Sequence, residues 1–348
     1  VIPGAPALSV VVPTLDEEAA IGGLLRALAD QQDIDLEVIV SDGGSRDATV
    51  GRARAAGATV VEGPPGRGRQ LNAGRAAATA PWLLFLHADS VLLEPDLLAR
   101  ALDFAAAGLG PRDAGHFPLC FVDAGALGLD MGFNEAKSAL GRPETTHGDQ
   151  GLLIRGQTLA ALGGYDDALP ILEDQDLGRR LVAAGGCFRR LPGCLGTSAR
   201  RFAAEGKPRR AVQNATLMVL FHAGLLHLLP RLQAHYPPPH GVRAPGTRAL
   251  FRALHQTLAE LPAGEREAAW RALGREAGRL GMRDLVFALE VGVRGPEQAA
   301  AHHPWLDRWE ASGEPRWLAG RDGRWTGRVL RGGVGLGARL ARLSEVAS

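Results

Sequence analysis

Six short motifs stand in order along this chain, each with acidic or Gly-rich residues just beyond an apolar run. They are SVVVPTLDEE (9–18), VIVSDGGSRDAT (38–49), GRGRQLNAG (66–74), LLFLHADS (83–90), GDQG (148–151) and LEDQDLGRRL (172–181). Polar residues in that position fall where a buried strand ends. A sheet whose strand ends open toward one crevice would gather them all, which is how open α/β sheets build a ligand site.

The size of the chain sets the frame for that sheet. Its 348 residues suit one large domain with an appendage, or two domains. A composition of 46% apolar and 22% charged residues is that of an ordinary globular chain. A net charge of +1 supplies no global field for a nucleic-acid partner, and none is expected. Cys120, Cys187 and Cys194 are odd in number and lack zinc spacing. A Cys187–Cys194 pair is one option, but reduced thiols in a cytoplasmic chain are the expectation. No secretory signal is visible, and the chain opens on Val1, which leaves targeting open. The most apolar stretch, 215–229, is interrupted by His222 and His227 and stops at Pro230. It falls short of the roughly 20 residues a spanning helix needs and reads as a buried or interfacial helix.

Residues 8–12 and 36–40 are short β-branched runs, and 17–30 between them carries Ile21, Leu24, Leu25 and Leu28 at helical spacing. That is a βαβ unit. A helix over 47–56, a strand over 58–62, a helix over 71–78 and a strand over 82–86 continue the alternation. The fold class is therefore α/β, with a mostly parallel, mixed sheet and helices on both faces. After Asp96 the pattern changes: helix 97–107, then a strand over 116–123 from another direction, helices 157–162 and 175–184, and a short strand 188–191. The Pro/Gly-rich stretch 237–246 marks a boundary. Beyond it, 249–261, 265–280 and 282–293 are amphipathic helices. The expected domains are 1–236, a linker at 237–246, a helical region at 247–313 and an Arg/Gly-rich tail at 314–348.

The motifs carry definite chemistry. Asp89 ends an apolar strand, and a carboxylate there can hold a divalent cation that neutralises a diphosphate. His87 lies two residues earlier, on the same side of the strand. The plainer alternative is an Asp that caps the next turn. Asp42 with Gly43 can accept from a nucleotide base or ribose, or can simply make a turn before a helix. The loop of Arg67, Gly68 and Gln70 suits phosphate, though it matches neither the phosphate loop of NTPases nor the dinucleotide fingerprint. Glu173, Asp174 and Asp176 open a helix, where acids are favoured by the dipole in any case. Three acids in four residues exceed what a cap needs, and Asp174 can act as a general base toward an acceptor hydroxyl or thiol. Arg200 and Arg201 can bind an acidic acceptor or form surface ion pairs.

In this order the motifs resemble the family 2 glycosyltransferases of GT-A fold, and more narrowly the arsenosugar-biosynthesis-type subgroup. The resemblance covers about 8–236 and also includes TSARRF (197–202). It implies inverting transfer from a nucleotide-diphosphate sugar, a UDP-sugar by preference, aided by Mg²⁺ or Mn²⁺. It implies that Pro13, Thr14 and Glu17 line the nucleotide and that Asp42 contacts the base. Arg67, Gly68, Gln70 and Asn72 would frame ribose and diphosphate. Asp89 would hold the metal, with His87 standing where many members have an acid and binding metal, ribose or phosphate. Asp174, paired with Glu173, would be the base, and Asp149 and Gln150 would border sugar and acceptor.

Two other readings follow from the same residues. A sugar-1-phosphate nucleotidyltransferase shares a similar nucleotide fold but wants a basic Gly-rich loop after the first strand, where this chain has PTLDEE. A silent nucleotide-sugar-binding scaffold would need the acid pair to be idle. Arg321, Arg324, Arg328, Arg331, Arg339 and Arg342 in the tail suit weak contact with anionic lipid. The C-terminal helices offer a surface for a homo-oligomer.

Overall fold

The computed structural model describes residues 6–232, 247–312 and Arg331. The chain divides into two compact units, Val1–Ala199 and Arg200–Ser348.

The first unit begins with the expected alternation: β1 (Leu8–Thr14), α1 (Glu18–Ala29), β2 (Leu36–Asp42), α2 (Thr49–Ala55), β3 (Thr59–Glu62), α3 (Arg67–Ala77) and β4 (Trp82–Phe85). It continues with β5 (Val91–Leu92), α4 (Leu97–Gly108), β6 (Ala114–His116), β7 (Leu119–Phe121), α5 (Gly132–Ser138), β8 (Leu152–Arg155), α6 (Gly156–Ala161), α7 (Glu173–Ala183), β9 (Phe188–Arg190) and β10 (Leu195–Thr197). Seven strands form the central sheet in the order β3-β2-β1-β4-β8-β6-β9. Within it β8 alone runs antiparallel to its neighbours.

Alternation along the central strands feeds two cores, as a period of two requires. Val10, Val12, Leu84 and Leu86 meet Ile21, Leu24 and Leu28 of α1 and Leu97, Leu98 and Ala101 of α4. Val11, Ile39, Leu83 and Phe85 meet Leu71 of α3, Leu159 of α6, and Leu177 and Leu181 of α7. Helices thus cover both faces, which explains why these strands read as continuous apolar runs.

The direction of β8 decides where the motifs meet. Phe85, at the end of β4, pairs with Leu152, at the start of β8. The GDQG turn before β8 therefore lies beside the HAD segment after β4. A motif that precedes a strand joins others that follow strands.

Three expectations need correction. The single strand over 116–123 is two strands in two sheets, because Phe117-Pro118 leaves the seven-stranded sheet and β7 joins β10 and β5 in a separate three-stranded one. A proline there has no N–H for a ladder. The cysteines are not all reduced, and Cys187 does not pair with Cys194. Cys120 and Cys194 form a disulfide with Cα atoms 6.0 Å apart, and Cys187 is free. Pairing of β7 with β10 brings together cysteines 74 residues apart, which spacing alone does not reveal. The helices expected at 265–280 and 282–293 are one, because exposed Gly281 does not interrupt the helix.

The second unit holds α8 (Arg200–Glu205), α9 (Lys207–His222), α10 (Leu229–Leu232), α11 (Thr247–Ala259), α12 (Ala263–Arg294), α13 (Pro296–Ala301) and α14 (Pro304–Ala311). The apolar stretch at 215–229 forms the end of α9 and a following turn at Gly224, where φ is +72°, and buries Leu217, Leu220, Phe221, Leu225, Leu228 and Leu229. Helix α9 packs on α11 and α12 within this unit. Buried Glu290 of α12 accepts from the backbone N–H groups of Trp305 and Leu306, capping α14. No helix among the described residues is long and apolar enough to cross a membrane. The expected linker 237–246 lies outside the described residues. So does the tail except Arg331, which ion-pairs with Glu267 and stacks over Trp270.

Gly74 shows how closely α3 seats on the sheet. A Cβ there would lie 2.4 Å from Cγ1 of Val11, a stiff side chain on a buried strand. Gly74→Ala is expected to cost about 1–3 kcal/mol, read as a lower urea midpoint. An unchanged midpoint would contradict this packing.

Candidate active site

The loop after β2 is built on Asp42, which is 1% exposed. One carboxylate oxygen accepts from Thr14 Oγ1 at 2.9 Å and from Ser45 Oγ, and the other accepts from the N–H groups of Gly44 and Ser45, both at 2.8 Å. Four donors hold it inside the turn. Gln70 of α3 is also buried, and its Nε2 donates to the carbonyls of Thr14 and Ser41 at 2.6 and 3.1 Å. It ties the ends of β1 and β2 together. Gly43 leaves room for it, since a Cβ there would sit 3.0 Å from Gln70 Cδ.

Asn72 of α3 makes a two-way clamp on the turn before α7. It donates to the Tyr165 carbonyl at 2.8 Å and to Asp167 at 2.6 Å, and accepts from the Tyr165 N–H at 2.9 Å. Gly68 belongs to the same contact, because a Cβ there would lie 2.6 Å from the Asp166 carbonyl oxygen. Of the residues expected around a nucleotide, Asp42, Gln70, Asn72 and Gly68 therefore shape the crevice from within. Pro13, Thr14 and Glu17 stand at the end of β1 and the start of α1.

The acids meet α3 at Arg67. Its Nε lies 3.1 Å from Oε1 of Glu173, and its guanidinium also donates to the His87 ring. Arginine can only donate, so the facing His87 nitrogen accepts. Glu173 is 2% exposed and its Oε2 has no partner among the described residues. Burial pushes its carboxyl up to about 7, with Asp174 adding to the rise and Arg67 opposing it. Asp174 Oδ2 accepts from the Gly148 N–H at 2.6 Å and Oδ1 from the Gln175 N–H at 2.7 Å. Leu172, just before, has φ of +65°, a left-handed conformation costly for a non-glycine residue. Asp149 Oδ1 is buried without a partner among the described residues. Burial raises its carboxyl, helped by Asp174 and Asp89 and opposed by His147 and Arg67. Gln150 is buried and donates to the Thr145 carbonyl at 2.8 Å.

Arg67, His87, Gly148, Tyr165, Glu173 and Asp174 border a cavity. Its polar lining includes Arg67, His87, His147, Glu173 and Asp174, and its apolar lining includes Leu71, Phe85, Leu177 and Phe188. His147 and Tyr165 were missed in the sequence. Both adjoin Gly-containing turns, GDQG and GGYDD, and that adjacency was the available signal. Tyr165 is buried edge-on against Phe85, and burial beside Glu173 and Asp174 pushes its hydroxyl well above the ordinary range. Arg200 and Arg201 open α8 in the second unit.

A divalent cation was expected on Asp89 and His87. Asp89 is exposed beyond β4, while Asp149 and Glu173 each keep a buried oxygen without a partner. Carboxylates in excess of cations are donors that Mg²⁺ or Mn²⁺ suits. Among the described residues no three His, Cys, Asp or Glu side chains form a closed cage. A site completed by a ligand's phosphates needs none.

Residues 9–109 match the family model described as Glycosyl transferase family 2. Over 107 residues, 29% of this chain, it is 36% identical to a PGL/p-HBAD biosynthesis glycosyltransferase of Mycobacterium bovis, covering 42% of that protein. It is 33% identical over 150 residues, 39% of this chain, to a glucosyl-3-phosphoglycerate synthase of Mycolicibacterium paratuberculosis, covering 45% of that protein. The chain thus spans less than half the length of these curated relatives. The fold is similar to that of the mannosyltransferase PcManGT of Pyrobaculum calidifontis, solved with GDP-Man and Mn²⁺. The TM-score is 0.50 at 19% identity, over 98% of this chain and 88% of that one. The α/β fold with a C-terminal helical region is thus that of GT-A glycosyltransferases.

Glu173 sets a pH dependence of stability. Its carboxyl is raised from 4.5 to about 7. Across that window the folded chain keeps a proton that the unfolded chain has released, so stability falls as pH rises. Glu173→Gln should remove that fall, so that the stability difference between the two proteins changes by up to roughly 3 kcal/mol between the ends of the window. Urea unfolding at a series of pH values reads it, and parallel curves would contradict the assignment.

Proposed function

We propose that this chain transfers a sugar from a nucleoside-diphosphate sugar to an acceptor, with Asp174 as general base. The observation that carries the reading is the pairing of opposite roles in the lining of one cavity. A carboxylate fixed by two backbone N–H groups faces the same space as a guanidinium suited to diphosphate. The family match over 9–109 and the names of the relatives support it.

In the proposed step Asp174 takes the acceptor's proton as the acceptor atom bonds to the anomeric carbon. The bond from that carbon to the diphosphate oxygen breaks, and the diphosphate leaves with the electron pair. Attack opposite the leaving group inverts the anomeric centre. Arg67 exchanges Glu173 for the departing phosphates. Pro13, Thr14 and Glu17 line the nucleotide, in a pocket whose walls are set by Asp42, Gln70 and Asn72. Asp149 and Gln150 border the sugar. Asp89 and His87 would hold Mg²⁺ or Mn²⁺, which supplies positive charge to the leaving group when bound. A UDP-sugar donor and a place in the arsenosugar-type subgroup belong to this proposal. The acidic PTLDEE turn after β1 disfavours a nucleotidyltransferase.

The test is product analysis with a panel of sugar nucleotides. Nucleoside diphosphate should be released, EDTA should suppress release, and Mn²⁺ should restore it. Asp174→Asn should slow turnover roughly 10²–10⁴-fold while donor binding persists. Diphosphate release from a nucleoside triphosphate would favour the nucleotidyltransferase instead. Full activity in Asp174→Asn would remove the base assignment.

A further inference from the structure

His147 precedes the Gly148–Gln150 turn and lines the cavity with Asp174. Its Nδ1 lies 3.0 Å from Nε2 of Gln175. Gln175 is 3% exposed, and the same Nε2 donates to the Thr146 carbonyl at 2.6 Å. Turning the amide round would set its oxygen against that carbonyl oxygen, so its orientation is fixed. The amide nitrogen therefore donates to Nδ1, Nδ1 accepts, and the neutral imidazole carries its proton on Nε2. That nitrogen has no hydrogen-bond partner among the described residues.

The carboxylate and the imidazole are held by the same two segments. Asp174 receives the Gly148 N–H, and Gln175, next in α7, holds His147, next to Gly148. Two adjacent residues of one helical turn thus grip two adjacent residues of the facing loop. The orientation of the ring is fixed relative to the base.

We infer that the Nε2–H of His147 donates to the reacting oxygen of the acceptor, that Gln175 is the positioning residue behind it, and that the reacting group is an alcohol hydroxyl. This rests on the transferase reading. A group served by both side chains accepts from an imidazole N–H and gives a proton to a carboxylate. A hydroxyl does both. An ammonium gives without accepting, and a thiol accepts weakly. A phosphate would meet the carboxylates of Asp149, Asp174 and Asp89, and the latter two already raise the carboxyl of the first. As Asp174 takes the proton, charge grows on the oxygen and the bond from His147 strengthens.

Two readouts on the full chain test this. The first is a long-range ¹⁵N–¹H correlation on ¹⁵N-histidine-labelled protein at pH 8, with His147 assigned by its loss in His147→Gln. Wild type should show the Nε2–H tautomer, and Gln175→Leu a mixture. A proton on Nδ1 in wild type overturns the inference. The second is nucleoside diphosphate release with glycerol as the probe acceptor. His147→Leu should lower kcat/KM for glycerol roughly 10–100-fold with the donor KM unchanged. His147→Gln, whose amide nitrogen reaches the Nε2 position, should recover most of it. Equal loss in both variants, or no loss in His147→Leu, overturns the acceptor contact while the transferase reading stands. Absence of release from any sugar nucleotide by wild type removes the transferase reading and the acceptor contact together. The tautomer result then stands by itself.

Discussion

One ion pair joins the two halves of the crevice. Arg67 opens α3 and Glu173 opens α7, and their contact at 3.1 Å lies where the end of β4 and the start of β8 come together. Among the described residues Arg67 is the cation paired with buried Glu173, and its closeness opposes the burial that raises this carboxyl. The proposed diphosphate would compete for that same guanidinium. Binding the donor would then loosen a buried carboxylate beside the base, and the site would rearrange as it filled.

Around that pair the polar residues hold loops rather than protrude. Asp42 spends both oxygens on Thr14, Gly44 and Ser45, Gln70 spans two strand-end carbonyls, and Asn72 clamps the turn at Tyr165. Each fixes backbone that would otherwise sample many conformations, and pre-organisation of this kind is what a transfer site requires. The strained Leu172 before Glu173 and the crowded Gly148 belong to the same device. A Cβ on Gly148 would lie 3.0 Å from His87 Nε2 and 3.5 Å from Asp174 Oδ2.

The first 86 residues were the most legible. Ile21, Leu24, Leu25 and Leu28 at helical spacing and the β-branched runs of β1 and β2 give period and type directly, and the structure keeps both. Later elements depend on pairing, which local pattern does not carry. The antiparallel sense of β8, the split at Phe117-Pro118 and the Cys120–Cys194 bond all follow from which strands meet. At the site, residue types at strand ends showed where the crevice lies. They did not show which groups stand within reach of Asp42 or Asn72, which bond the backbone of Gly44, Ser45 and Tyr165 and the side chains of Thr14, Ser45 and Asp167. His147 carries no motif of its own, and its ring contacts Gln175, which is distant in sequence.

The central claim is a single displacement, with Asp174 activating the acceptor on one face while the diphosphate departs from the other. The configuration of the first-formed product reads this most directly. Proton NMR of the anomeric position, recorded early in the reaction, should show configuration opposite to that of the donor. A product that retains the donor's configuration would contradict the account.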